Sequence, residues 1–179
     1  DCVWGGMVNQ KTAVALTGRS GEELEEYKKL LLKLNNEVVA AAPEDLLINT
    51  HVCRGNYHST FFSSGAYDSV AELLFGEENV NAYYLEYDDE RSGGFAPLAK
   101  VTGDKKVVLG LITTKTPELE DREKVINRIH QAAKYIPLDR LYLSPQCGFA
   151  SCEIGNKLTE EEQWEKLRLV KEIAEEVWG

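Results

Sequence analysis

Four side chains stand out as candidates for metal chemistry: His51 and Cys53, two positions apart, then Glu86, then Cys147. Together they supply one imidazole nitrogen, two thiolates and one carboxylate, a donor set suited to zinc. His51 and Cys53 end the apolar run LLINTHVC. On a strand, residues two apart point to the same side, so both would face one space. Glu86 comes near the end of AYYLEY, and Cys147 follows LYLS. The spacing gains weight only if these runs are parallel strands with aligned ends. The alternative is that Cys53 and Cys147 are small buried hydrophobes and His51 is a hydrogen-bonded core histidine.

The elements that must position these residues are legible as an alternation of strands and helices. After a loop around Gly5 and Gly6 and a short apolar stretch, Thr12 to Thr17, Ser20 and Glu23 have the spacing of a capping box. The helix they open carries Leu24, Tyr27, Leu31, Leu34 and Val38 on one face and is stopped by Pro43. A strand over Leu46 to Cys53, a long loop RGNYHSTFFSSG, and a helix from Ala66 to Phe75 closed by Gly76 follow. Next come a strand Ala82 to Tyr87, a glycine-rich loop through Gly94, helical residues before Gly103, and a strand Lys106 to Thr113. Thr116 and Pro117 read as the cap and first residue of a helix with the stripe Val125, Ile126, Ile129, Ala133 and Ile136. A last strand, Leu141 to Ser144, leads through PQCGFAS to a capping box at Thr159 and Glu162. The final helix should turn Trp164, Leu167, Val170, Ile173 and Val177 inward.

Strand ends at Cys53, Glu86, Lys115 and Cys147 recur at about 30-residue intervals, the size of a βα unit. Such alternation specifies an α/β fold with a parallel sheet. A (β/α)8 TIM barrel has eight units, so this chain is expected to be about its C-terminal half, one domain in part. A doubly wound sheet is the alternative. In either, functional residues gather at the C-terminal strand ends.

Composition narrows the function classes. The 179 residues are 43% hydrophobic, enough for a substantial core, and contain neither a signal peptide nor an apolar span. A net charge of −10, with no basic block, argues against nucleic acid. Four cysteines in a chain without secretory features are expected to stay reduced, in the cytoplasm. The first residue is Asp1 and the only methionine is Met7, so a fragment is expected, one that self-associates or pairs with a missing N-terminal half.

The segments INTHVCRGNYHSTFF, YYLEYDDERSGGF and LYLSPQCGFAS resemble the metal-binding stretches of the cobalamin-independent methionine synthase family, and the likeness covers nearly the whole chain. The resemblance implies that His51, Cys53, Glu86 and Cys147 hold zinc. It also implies that homocysteine binds as a thiolate and takes a methyl group from a methyl-tetrahydrofolate or similar donor. Coordination lowers the pKa of a thiol, and the thiolate is the nucleophile. Asp1 resembles part of an acidic pair that contacts the amino acid; Glu86 and Ser92 match other substrate contacts. Where the larger synthases have a histidine before Ser-Pro, this chain has Lys115 before Thr116 and Pro117. Lys115 is thus a candidate catalytic proton donor, and a corrinoid-type methyl donor stands beside the folate type. Two competing readings are a non-catalytic zinc- or ligand-binding barrel fragment and a metal-free barrel related to uroporphyrinogen decarboxylase. His58 and His130 read as structural, and Cys2 and Cys152 have no assigned role.

Overall fold

The computed structural model describes residues 1–179. Three helices come first, α1 (Cys2–Met7), α2 (Gln10–Thr17) and α3 (Gly21–Ala40). The strands β1 (Asn49–Val52), β2 (Ala82–Glu86), β3 (Lys106–Ile112) and β4 (Leu141–Pro145) then alternate with α4 (Asp68–Glu77), two short 3-10 turns before β3, α5 (Arg122–Ala132) and a third 3-10 turn before β4. The chain closes with α6 (Glu160–Trp178). All four strands are parallel and paired in sequence order, β1-β2-β3-β4, without the reversal of order that a doubly wound sheet contains.

Alternation along the strands separates two faces. Val52, Tyr83, Leu85, Val107, Leu109 and Leu141 are buried against Val70, Leu74, Phe75, Ile129 and Ile173 of the helices, in one hydrophobic cluster. The opposite face carries His51, Tyr84, Val108 and Tyr142, which are paired in register. Glu86, two residues beyond Tyr84, shares that face and pairs with Gly110. A Cβ at Gly110 would lie 2.8 Å from both Gln146 Cα and Leu85 O, so glycine lets β4 and its loop pass close beside Glu86. No helix is long and apolar enough to cross a membrane.

Several expectations are corrected. Gly5 and Gly6 lie in α1, not in a loop; Asp1 caps it by accepting from Val3 and Trp4 N–H. A Cβ at Gly5 would fall 1.8 Å from the Cys53 carbonyl oxygen, so glycine permits α1 to lie against the end of β1. Thr12 to Thr17 belongs to α2, capped by Asn9. Ser20 precedes α3 but makes no side-chain cap bond. α3 buries Leu24, Lys28 and Leu32, whereas Leu34 and Val38 face solvent. Its inward stripe is therefore set by packing on α4 rather than by the full run of apolar positions. Helix α4 continues through Gly76 to Glu77. Leu46 and Leu47 are exposed and precede β1. Trp164 is also exposed, and Lys166 takes the inward place. The Thr159–Glu162 capping box forms as expected.

The largest departure is after β3, where no helix begins at Thr116 and Pro117; α5 starts at Arg122 under an Asp121 cap. The reason is tertiary. The buried Lys166 ammonium donates to the Glu118 carbonyl at 2.7 Å and to the Glu120 carboxylate at 3.1 and 3.2 Å. Glu120 in turn accepts from Thr113 N–H. This clamp holds segment 113–121 against α6 and presents Lys115 from its far end. Removing one partner of a buried ion pair strands the other, so Lys166→Met is expected to cost about 3 kcal/mol of stability. Urea denaturation checks this, and a loss below about 1 kcal/mol would mean that Glu120 is satisfied without the lysine.

Candidate metal centre

Nitrogen, sulfur and oxygen donors of His51, Cys53, Glu86 and Cys147 lie within 4.8 Å of one another. They come from the ends of β1 and β2 and from the loop after β4, brought level by the parallel register. His51 Nε2 is 3.4 Å from Cys147 Sγ and 4.0 Å from a Glu86 carboxylate oxygen. His51 Nδ1 lies 3.0 Å from the Tyr84 carbonyl oxygen, which can only accept, so the ring proton belongs on Nδ1. Nε2 is thereby left with its lone pair turned toward the cluster, the arrangement that orients a metal-bound histidine.

Glu86 is completely buried and held from both sides: it accepts from the Arg54 backbone N–H at 2.8 Å and from Arg91 Nη2 at 3.0 Å. Arg91 also pairs with Asp88 and Asp89. The Tyr67 hydroxyl accepts from Glu86 N–H, fixing the backbone as well. Two thiols, one imidazole and one anchored carboxylate fit a zinc ion by donor type, and the fixed Nδ1–H tautomer supports the same fit.

The two thiols of the cluster titrate apart. The neighbouring Cys53 sulfur, with burial, pushes the Cys147 thiol up to about 12, while the Cys147 thiol lowers Cys53 below its ordinary value. Burial works to lower the His51 pKa, but the bond to Cys147, the Tyr84 carbonyl and the Glu86 charge outweigh it and raise it.

The structure also places the other candidates. Lys115 is 8% exposed and its ammonium donates to Asn56 Oδ1 at 3.1 Å, so it is not solvated, and no helix starts beside it. Ser92 is fully buried with no partner for its hydroxyl. The Asp1 carboxylate caps α1 and accepts from Asn35, and is not part of the four-residue cluster. His58, at the tip of a tight turn with positive φ, faces the Gly155 carbonyl at 3.1 Å, and His130 lies in α5. Sequence reasoning missed Arg54, Arg91 and Asn56 as supports of the site. Their only signal was adjacency: Arg54 and Asn56 follow Cys53, and Arg91 lies in the loop after Glu86. A cavity of about 280 Å³ opens beside His51, Tyr84, Gln146 and Cys147.

A parallel α/β domain with a metal-ligand cluster at its C-terminal strand ends is the class these features define. Residues 24–176 match the family model for the cobalamin-independent synthase catalytic domain. The chain is 48% identical over 179 residues to the uncharacterized protein YxjG of Bacillus subtilis (strain 168), covering 99% of this chain and 47% of that protein. It is 23% identical over 101 residues to a methionine synthase of Pyrococcus horikoshii, covering 56% of this chain and 26% of that protein. Among solved structures, a Listeria monocytogenes protein provisionally assigned as a vitamin-B12-independent methionine synthase superposes with a TM-score of 0.74 at 40% identity, covering 100% of this chain and 47% of that one. A B12-independent methionine synthase from a Shewanella species, solved with selenomethionine, shares the fold at 23% identity with a TM-score of 0.62, covering 87% of this chain and 50% of that one. The chain belongs to the family of the cobalamin-independent methionine synthase catalytic domain. It spans a little under half the length of YxjG and of a second uncharacterized Bacillus subtilis relative, YxjH.

The opposed shifts of the two thiols make a titration testable. In metal-free chain carrying Cys2→Ser and Cys152→Ser, one thiolate of the pair is expected to form below the ordinary cysteine value of about 8.5 and the second only in strong alkali. Thiolate ultraviolet absorbance against pH reads this directly, and two equivalent titrations near the ordinary value would refute the coupling of the two thiols.

Proposed function

We propose that this chain carries the zinc centre of a methyltransferase that methylates the thiol of homocysteine to give methionine. The observation that carries the reading is the convergence of His51, Cys53, Glu86 and Cys147, with Nε2 freed for a metal by the Tyr84 carbonyl. Zinc bound there would supply Lewis acidity that holds a substrate thiol as its nucleophilic thiolate at neutral pH. His51, Cys53 and Cys147 would be the constant ligands. Glu86 is the ligand best suited to exchange, because Arg54 N–H and Arg91 keep its carboxylate satisfied in either state. Lys115, buried but tied only to an amide oxygen, is the proposed proton donor to the departing methyl carrier. That carrier is a methyl-tetrahydrofolate or similar donor, with a corrinoid type as the other choice. Asp1, Glu86 and Ser92 are the proposed contacts to the amino acid.

We further read the sheet as about the C-terminal half of a (β/α)8 barrel, acting in the cytoplasm where its cysteines stay reduced. Sequential parallel pairing supports this, as does a face bearing half-exposed Tyr84 and Tyr142. Such a face should be covered by an N-terminal half or by a second copy. The competing reading, a zinc or ligand site without turnover, draws on the count of four protein donors, which suffices to close a tetrahedral shell.

Elemental analysis with zinc-edge absorption decides between them. About one zinc per chain, lost in Cys147→Ser and gaining a sulfur neighbour when homocysteine is added, is the expected result. Zinc whose surroundings ignore homocysteine would leave the closed, non-catalytic site, and a wild-type chain without zinc would sink the methyltransferase reading.

A further inference from the structure

Cys147 is the one ligand that sits on an irregular loop rather than at the end of a strand or immediately beyond it. That loop is poorly held by its own backbone: no N–H from Cys147 through Ile154 donates a hydrogen bond within the chain. Gln146 N–H before it is bonded to Ile112 O, and the loop's own carbonyls take two backbone bonds from its far end, Gly155 N–H to Cys152 O and Asn156 N–H to Phe149 O. A metal ligand on such a segment needs an anchor from elsewhere, because loss of supporting bonds around a ligand weakens metal affinity.

Asn56 supplies one. It lies three residues after Cys53, is buried, and its amide makes four hydrogen bonds to the loops after β3 and β4. Nδ2 donates to the Gly148 carbonyl and to Ser151 Oγ, both at 2.7 Å. Oδ1 accepts from Lys115 Nζ at 3.1 Å and from Asn156 Nδ2 at 2.9 Å. The orientation is forced: an ammonium only donates and a carbonyl only accepts, so the amide oxygen must face Lys115 and the nitrogen must face Gly148. Both nitrogen contacts bear on Cys147, one at the adjoining residue and one through Ser151 Oγ, which lies 3.9 Å from Cys147 Sγ.

We propose that Asn56 is a positioning residue whose side-chain N–H groups pin the Cys147 loop, and so set how firmly the centre retains its metal, while its oxygen orients the Lys115 ammonium. The inference rests on the metal reading above and adds a division of labour within one amide. Asn56→Asp keeps an acceptor for Lys115 and Asn156 but loses the donors to Gly148 and Ser151. Asn56→Ala loses both sides. Lys115→Met removes only an acceptor-side partner, and Asn156 still holds the oxygen.

The test uses this chain loaded with zinc for affinity, by competition with a chelator, and with cobalt(II) for the thiolate charge-transfer band. Asn56→Ala and Asn56→Asp are expected to lose metal affinity by about 10–100-fold with a weakened thiolate band, the range found when supporting bonds to ligands are removed. The metal-free variants should stay folded at the assay temperature by circular dichroism, so that weakened metal binding is not a general loss of structure. Lys115→Met should retain wild-type metal affinity. Unchanged metal binding in both Asn56 variants overturns the proposal, as does an equal loss in Lys115→Met. If neither Asn56 variant folds, Ser151→Ala must release metal several-fold faster, and no change there overturns it. Wild-type chain that takes up no metal overturns the zinc reading and this one together, whereas metal-binding wild type with indifferent variants overturns the positioning role alone.

Discussion

Glu86 holds the site together. Its carboxylate is fully buried at the end of β2, where an uncompensated charge would be untenable. It is compensated by the Arg54 N–H arriving from β1 and by the Arg91 guanidinium from its own following loop. Those bonds fasten the chain just past Cys53 to the end of the neighbouring strand. The separation of His51, Cys53 and Glu86 is therefore set before any ion arrives. Tyr67 closes the arrangement by bonding the Glu86 backbone and stacking under the Arg54 guanidinium, 4.2 Å from its ring centre.

Around this fixed pair of strand ends the remaining parts are held by weaker or longer-range ties. Segment 113–121 is kept irregular by the Lys166–Glu120 clamp, which prevents the helix that Thr116 and Pro117 would otherwise open. The turn at His58 and Ser59 adopts positive φ at both residues, an uncommon conformation outside glycine that costs of order 1–2 kcal/mol per residue. Docking offsets that cost: Ser59 N–H meets Asn156 Oδ1, and Ser59 Oγ accepts from Lys157 N–H. The loops after β1, β3 and β4 thus form one polar network over the donor cluster. Cavity space beside His51 and Cys147 lies at the edge of that network rather than in the apolar core.

The electrostatics of the metal-free cluster point the same way. Two thiols placed together in the cluster titrate apart, Cys53 lowered and Cys147 raised. A divalent cation resolves that conflict, since it favours both thiolates. The same closeness in a core built only for packing would be a cost without a return.

Much of this was legible in the sequence because strand alternation and βα spacing are local properties. His51 and Cys53 two apart, Glu86 and Cys147 at comparable strand ends, and the Thr159 capping box needed only the periods of the backbone. The inward face of α3, the exposure of Trp164 and the missing helix at Thr116 were not legible, because each depends on which neighbour occupies the adjacent space. Arg54, Arg91 and Asn56 were equally hidden. A hydrogen bond between residues far apart in sequence leaves no periodic trace, and a buried arginine reads on the page like a solvated one. The sequence by itself determined the donor types and the strands that carry them. Only the tertiary structure decided how those donors are held, because parallel register and buried side-chain bonds exist only once distant segments are packed together.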